Sequence, residues 1–257
     1  MLIALDTATE WCSVGLALTD LKDILVISRR IGTGHSAFVL PMLDQLLQQR
    51  STPMTAITGI VVTVGPGSFT GLRIACGVAH GLALSQNLPV VPLSTLEVIG
   101  QRFKGQLRPT VVCLDARMDE LYCAVFDANS VRLIDDFVAK PSEVSARVIS
   151  LLDANRFNAA GNGWALATTQ GTAMFKQVDQ LDDYAYPQAA DMLHLGANKL
   201  LAHPSFDNDG ARNTLWLAED ALPAYVRNNV ALDMAAQRQL RLTNDQLKQQ
   251  VLKMNVQ

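Results

Sequence analysis

The chain has 257 residues, of which 49% are hydrophobic and 18% are charged, and its formal net charge is −3. This composition indicates a globular protein with a buried core and excludes a disordered chain. The 21 lysine and arginine residues are scattered, which disfavours a strong nucleic-acid binder, because such proteins concentrate positive charge in a patch. No apolar run approaches the roughly 18 residues of a membrane helix, and the first residues lack the basic region of a signal peptide. We therefore expect a cytoplasmic protein without a membrane segment.

Two widely separated segments share one pattern, in which an apolar strand ends in an aspartate and a short polar turn leads to a second apolar strand. The first segment runs from Ala4 to Ala17 and the second from Cys113 to Phe126. A third strand-like run follows each of them, over residues 24–28 and 131–138. The repeat predicts two related domains, with the chance similarity of two β-hairpins as the alternative.

The first half continues with alternating helices and strands. Apolar residues at helical spacing predict a helix over residues 35–50, and a short β-branched run predicts a buried strand over 59–64. A glycine-rich turn then leads into a helix over 69–86 and a short strand. Ser94 is in the N-cap position of one more helix, with Glu97 in the capping-box position. The predicted order is βββαβαβα.

The second half repeats this order less completely. We predict a helix over 142–152, a strand near 157–160, a loop at Gly161-Asn162-Gly163 and an apolar helix over 188–201. Glycine and proline interrupt the patterns near residues 103–108, which marks a boundary. The predicted parts are an N-terminal domain over 1–105, a reduced second domain over 106–210, and a C-terminal extension with a helical tail over 211–257.

The strongest local motif is the glycine-rich loop Gly65–Gly71, between a strand and a helix. Glycines allow close backbone approach, and a helix start attracts anions, so Gly67 and Ser68 are weak candidates for phosphate binding. A tight turn with Ser68 as N-cap is an equal alternative. The loop is not a Walker A motif, because Leu72 follows its last glycine, and Thr70 excludes the dinucleotide fingerprint.

Two carboxylates end the first strands of the two repeats. Asp6 and Asp115 could hold a hydrated Mg²⁺ in a cleft between facing domains, and Asp6 is a further weak candidate for cofactor binding. The alternative is that each aspartate caps its own turn. The four histidines have no metal-ligand spacing, so we expect no protein-held metal.

The helix over 69–86 carries a second face that is unusually small and apolar for a solvent-exposed surface. This face contains Phe69, Arg73, Cys76, Gly77, His80, Gly81 and Leu84. On the preceding helix, Phe38 and Met42 lie beside the main apolar stripe. Apolar surfaces of this kind favour a partner-binding site, with burial inside the domain as the alternative. We predict as partner-binding residues His35, Phe38, Met42, Phe69, Arg73, Gly77, His80 and Gly81.

Six stretches of the sequence carry a specific resemblance. They are LDTATEWCSVGL from Leu5, HSAFVLPML from His35, VGPGSFTGLRIACGVAHGLA from Val64, VPLSTLE from Val91, LDARMDELY from Leu114 and LPAYVRNNVA from Leu222. These stretches resemble the TsaB (YeaZ) family, which takes part in making threonylcarbamoyladenosine in bacterial tRNA. The stretches span almost the whole chain, and the GPGSFTGLR motif is highly characteristic. The residues after about Asp233 match least.

The resemblance implies the duplicated actin-like ATPase fold of acetate and sugar kinases, Hsp70 and actin, with a βββαβα unit in each domain. It also implies a non-catalytic subunit required for threonylcarbamoylation of the adenosine adjacent to the anticodon in tRNAs that read codons beginning with adenine. The implied partners are a TsaD-type catalytic subunit, bound through two helices of the first domain, and a TsaE-type ATPase. ATP and a metal are then expected on the partners and not on this chain. The same helices could form a homodimer, and contact with tRNA would be indirect or weak.

The sequence also departs from the catalytic members of this superfamily. TsaD-like chains carry an HxxxH metal pair where this sequence has Thr95 and Ile99, which are poor ligands for a transition metal. The turn Thr7–Trp11 lacks the glycine that the phosphate hairpin usually carries, and it contains Glu10. These departures favour a subunit without catalysis of its own. A nucleotide-dependent phosphotransferase or ATPase is the alternative, and a protease is disfavoured because no nucleophile–base pair is visible.

Overall fold

The predicted repeat is visible as two five-stranded sheets with equivalent strand order. The computed structural model describes residues 1–153, 155–202, 217 and 221–226. All of the described residues belong to one unit, which ends at Val226. The predicted loop at residues 204–210 and the predicted helical tail lie outside the described residues. None of the helices in these described ranges is long and apolar enough to cross a membrane.

The first sheet contains the predicted three-strand meander and two further strands. Its strands are β1 (Leu2–Asp6), β2 (Trp11–Ala17), β3 (Ile24–Arg30), β4 (Gly59–Gly65) and β5 (Val90–Ser94). They lie in the order β3-β2-β1-β4-β5. β1 and β3 each pair antiparallel with β2, whereas β4 runs parallel to both β1 and β5. Parallel neighbours need crossover connections, and helices provide them here.

Three helices alternate with the later strands of this sheet along the chain, one after each of β3, β4 and β5. They are α1 (Val39–Gln49), α2 (Phe69–Gln86) and α3 (Thr95–Gln101). The helix predicted to start at residue 35 begins instead with a 3-10 turn, His35–Ala37, because Pro41 has no N–H and is tolerated only in the first turn of an α-helix. The predicted bounds of α2 are confirmed. Ser68 caps its start by accepting a hydrogen bond from the Gly71 N–H, and Glu97 N–H donates to the Ser94 cap of α3.

The second half repeats the plan, with a six-residue helix where the first half has the 18-residue α2. Its elements are β6 (Thr110–Asp115), β7 (Leu121–Phe126), β8 (Arg132–Ala139), α4 (Pro141–Leu152), β9 (Phe157–Ala160), α5 (Trp164–Thr169), β10 (Val178–Asp182) and α6 (Ala189–Ala202). The strands lie in the order β10-β9-β6-β7-β8. The sequence did not predict α5 or β10. α5 has six residues, too few for a clear helical period, and β10 is largely exposed and shows no alternation.

One helix from each half of the chain packs against the sheet of the other half. Ile3 and Leu5 of β1 face a core shared with α1 and α2, whereas Leu2 and Ala4 face α6. α3 packs instead against the second sheet, where it shares a core with β6 and β7. The domain boundary at residue 105 remains a prediction. The predicted second domain contains α6, and this helix covers the first sheet.

Candidate functional site

The Gly65–Gly71 loop is occupied by the chain's own β1–β2 turn. Ser68 N–H donates to the Ala8 carbonyl at 2.7 Å, and the Thr7 hydroxyl donates to the Gly71 carbonyl at 2.7 Å. A Cβ atom on Gly71 would lie 1.9 Å from the Thr7 carbonyl oxygen, so only glycine permits this approach. The N–H groups of Gly71 and Leu72 bond to Ser68. The N–H groups of Ser68 and Gly71, two of those that a phosphate at this loop would use, therefore already have acceptors.

Asp6 is fully buried beneath this loop. Its Oδ1 accepts hydrogen bonds from the Thr63 hydroxyl at 2.5 Å and from Ala8 N–H at 3.2 Å, whereas its Oδ2 has no hydrogen-bond partner among the described residues. Burial raises the pKa of Asp6 to about 7, against the lowering effect of the two hydrogen bonds. Asp6 thus caps its own turn, which is the alternative that the sequence left open.

Asp115, at the equivalent place in the second half, is also engaged locally. Its Oδ1 accepts from Arg117 N–H at 2.7 Å, its Oδ2 pairs with the Arg117 guanidinium at 3.1 Å, and its own N–H donates to Asn162. Within the described residues, no cluster of three or more His, Cys, Asp or Glu side chains is arranged to hold a metal. The two aspartates therefore act as turn caps in this structure.

The cleft between the two halves is narrowed by an aromatic stack. The rings of Trp11 and Tyr186 lie 4.1 Å apart and within 5° of parallel. Beside them is a cavity of about 250 Å³ whose lining includes Glu10 and Asp183. Glu10 forms an ion pair with Arg30 at 3.0 Å. Arg30 lines the cavity as well, so its charged side chains are two carboxylates and one cation, and their net negative charge disfavours a phosphate-bearing ligand.

The outer face of α2 is exposed and largely apolar. Phe69 is 53% exposed and Leu84 is 67% exposed. Arg73, Gly77 and Gly81 are exposed between them. His80 is half-buried, and Cys76 is buried. The sequence prediction of a small, apolar outer face on this helix therefore matches the geometry, except at Cys76.

The predicted residues at α1 divide into exposed and buried groups. Phe38 is 38% exposed and Leu40 is 48% exposed, whereas His35 and Met42 are buried. His35 hydrogen-bonds the Thr9 backbone, and burial lowers the pKa of its imidazole. His35 and Met42 thus support the helix from inside, and Phe38 and Leu40 are its surface residues. Sequence periodicity missed this division because His35 precedes the α-helix in a 3-10 turn.

A short C-terminal segment, Ala221–Val226, completes the surface at the start of α2. Ala221 is buried in the first core, and Ala224 N–H donates to the Val64 carbonyl at 2.7 Å. Tyr225 hydrogen-bonds Arg73 through its hydroxyl at 3.1 Å. The sequence assigned no role to this segment, although LPAYVR is among the stretches that carry the family resemblance. No local pattern connects residues so distant along the chain.

These observations define a class of protein with the duplicated actin-like α/β fold. Each sheet has a βββαβα unit, and each half contributes one helix to the other half. The family model described as TsaD, tRNA N6-adenosine threonylcarbamoyltransferase, matches residues 26–234. A TsaD-family domain thus extends over most of the chain.

More specific relatives carry the name TsaB. The tRNA threonylcarbamoyladenosine biosynthesis protein TsaB of Escherichia coli is 33% identical, over 90% of this chain and 96% of its own. The TsaB protein of Haemophilus influenzae is 32% identical, over 89% and 94%. YeaZ from Pseudomonas aeruginosa superposes with a TM-score of 0.69 at 32% identity, covering 87% of this chain and 99% of that chain. This chain belongs to the TsaB family.

Proposed function

We propose that this chain is a non-catalytic subunit in the synthesis of threonylcarbamoyladenosine in tRNA, where it binds and stabilises a TsaD-type catalytic subunit. The modified base would be the adenosine adjacent to the anticodon in tRNAs that read codons beginning with adenine. Membership of the TsaB family supports the pathway. The observation that carries the subunit role is the exposed apolar face of α2 next to a loop that the chain itself fills.

The geometry of α2 suits close packing against a partner helix. Added Cβ atoms at Gly77 and Gly81 would meet nothing within 4 Å, so the backbone is open to contact there. Phe69 and Leu84 flank the two glycines with exposed apolar side chains. Helices pack at interaxial distances of roughly 8–10 Å, and small residues at the contact allow the shorter values. Buried apolar contacts would supply most of the binding energy.

The loop and the cleft support the non-catalytic part of the proposal. The Ser68 N–H that would face a phosphate is bonded to Ala8, and Asp6 is enclosed under the same turn. In this proposal the chain holds no cofactor, and ATP and a metal belong to the TsaD-type subunit and to a TsaE-type ATPase. The tRNA contact of this chain is indirect or weak, consistent with its net charge of −3.

The proposal is tested by mixing the chain with the TsaD-type subunit of the same organism and measuring mass by size exclusion with light scattering. We expect one heteromeric peak, which Phe38→Asp and Gly77→Asp weaken by about tenfold or more, equivalent to about 1.4 kcal/mol. Phe175→Asp and Ala146→Asp are matched controls, because Phe175 is 37% exposed and Ala146 is exposed on α4. Thermal melts check that each variant folds.

Two outcomes would contradict the proposal or redirect it. Separate peaks for the wild-type chains at micromolar concentration would remove the subunit role. Submillimolar binding of Mg-ATP to this chain alone, lost in Asp6→Ala, would favour the alternative of a phosphotransferase or ATPase. A homodimer that forms without the partner and is displaced by it would show that the two interactions use overlapping surfaces.

A further inference from the structure

Arg73 is held in one orientation at the start of α2. The centre of its guanidinium lies 3.6 Å from the centroid of the Phe69 ring, which is a cation–π contact. Its Nε–H donates to the Tyr225 hydroxyl at 3.1 Å. The rings of Phe69 and Tyr225 are 5.8 Å apart and tilted by 36°. Two aromatic residues from distant parts of the chain therefore fix a single exposed cation.

This arrangement leaves the outer edge of the guanidinium available. An arginine has five N–H donors, and its two terminal nitrogens can bind a carboxylate in a bidentate fork. Only the Nε–H donor of Arg73 is used within the described residues, and no carboxylate among them lies within ion-pair distance. Fixing the side chain before binding reduces the entropy that is lost when a partner docks.

Tyr225 is itself fixed by the segment Ala221–Val226. Ala221 is buried, and the Ala224 N–H bonds to the Val64 carbonyl. Gly65 has a φ of +131°, and a Cβ atom there would lie 2.6 Å from the Ala224 carbonyl oxygen. The segment can approach the loop only because position 65 has no side chain. These contacts hold the main chain next to Tyr225 in place.

We propose that Arg73 binds a carboxylate of the TsaD-type subunit and that Tyr225 is the positioning residue that orients its guanidinium. This inference rests on the proposed function. A protein carboxylate fits better than a nucleic-acid phosphate, because Arg73 is the only Lys or Arg in α2 and α1 has none. Strong nucleic-acid binding neutralises several phosphates, whereas a single arginine within an apolar surface is typical of a protein–protein anchor.

Calorimetric titration of the TsaD-type subunit into the full-length chain tests the inference. We expect Arg73→Ala to weaken binding about tenfold or more, and Arg73→Lys to recover little, because lysine cannot form the bidentate fork. Tyr225→Phe should weaken binding by roughly three- to fivefold while the melting temperature stays unchanged. The wild-type affinity should fall more steeply with salt than that of Arg73→Ala, since an ion pair is screened.

A double-mutant cycle separates positioning by Tyr225 from a direct contact. Tyr225→Phe should have no further effect in the Arg73→Ala background, because its hydroxyl would then have no guanidinium to orient. Arg147→Ala and Tyr184→Phe are matched controls. Arg147 lies over the Phe137 ring at 4.7 Å on the second half, and Tyr184 is 77% exposed. Both controls should bind within twofold of the wild type.

The outcomes distinguish this inference from the proposed function. If the wild-type chains bind and Arg73→Ala binds equally well, the inference is wrong and the proposed function stands. If the wild-type chain does not bind the TsaD-type subunit, the proposed function is wrong, and the inference about Arg73 falls with it. Additive effects of Tyr225→Phe and Arg73→Ala would overturn the positioning role. If Arg73→Ala leaves the affinity between the subunits unchanged but abolishes tRNA binding by the assembled complex, Arg73 contacts nucleic acid and the proposed carboxylate contact is wrong.

Discussion

Asp6 is an unusual residue because a carboxyl group is enclosed where its charged form is poorly solvated. Its pKa is raised to about 7 by burial, above the ordinary value near 3.9 that it would have in the unfolded chain. The folded state therefore holds the proton more tightly than the unfolded state. The contribution of Asp6 to stability is fully present below the unfolded pKa, and it is lost as the pH rises through the folded pKa.

We predict that Asp6→Asn removes this pH dependence. Between about pH 5 and pH 8 the free energy of unfolding of the wild type should fall by about 2–3 kcal/mol through Asp6 alone. The asparagine keeps the oxygen to which Thr63 and Ala8 donate, and it cannot ionise. The free energy of unfolding of Asp6→Asn should therefore fall by about 2–3 kcal/mol less over the same pH range. Urea unfolding at several pH values measures the difference.

Asp119→Asn is the control for this experiment, because Asp119 is exposed in the second half. Its pH profile should follow that of the wild type. A profile of Asp6→Asn that also runs parallel to the wild type would show that Asp6 titrates equally in the folded and unfolded chains.

The helix α2 shows what a sequence can predict at the level of one element. Its bounds follow from local chemistry, since Ser68 caps its start and Asn87, with a φ of 53°, ends it. Its exposed face was predicted from the spacing of small and apolar residues. The contact of Tyr225 with Arg73 was not predicted, because it joins positions 152 residues apart. Local patterns specify such elements and their faces but not which distant segment covers them.

Two glycines of α2 should respond oppositely to the same substitution. We predict that Gly71→Ala destabilises the chain by about 1–3 kcal/mol or more, because its Cβ would overlap the Thr7 carbonyl and force the backbone to move. Gly77→Ala should stabilise it by about 0.5–1 kcal/mol, since alanine is the better helix former and its Cβ would meet no neighbour. Chemical denaturation of the isolated chain measures both.

Each glycine serves as the control for the other, because the two substitutions add the same methyl group to the same helix. Equal destabilisation by both would contradict the difference in their surroundings. A neutral Gly71→Ala would show that the β1–β2 turn is not clamped to the loop as described.

The exchange of helices between the two sheets determines how the whole molecule holds together. α6 lies on the first sheet, where Ala189 N–H donates to the Ser13 hydroxyl at 2.9 Å. Lys199 of α6 also pairs with Glu97 of α3 at 3.1 Å. The sequence predicted both helices but not their exchange. Periodicity shows which side of a helix is apolar, whereas the sheet that receives it depends on the complete topology.

We predict that the N-terminal part alone, residues 1–105, does not form a packed domain. Without α6 the face of the first sheet that this helix covers exposes apolar side chains such as Leu2, Val61 and Leu93. The core between this sheet and α1 and α2 then has to compensate alone for the conformational entropy lost on folding. The fragment should bind a hydrophobic dye and give a poorly dispersed amide NMR spectrum.

A chain of residues 1–226 is the matching control, because it retains α6 and the segment that contacts Arg73. It should give a dispersed spectrum and bind little dye. A well-dispersed spectrum from residues 1–105 would mean that the first sheet is stable without its inner helix.

The helix exchange also sets the order of events during synthesis. The first sheet is complete when β5 ends at Ser94, but α6 begins only at Ala189. At roughly 5–20 residues per second, the ribosome needs about 5–20 s to add the residues between them. During that interval the nascent chain presents the uncovered face of its first sheet to chaperones and to other nascent chains. Slow stretches of translation between these two points would prolong the exposure, so codon usage there should affect the yield of folded protein.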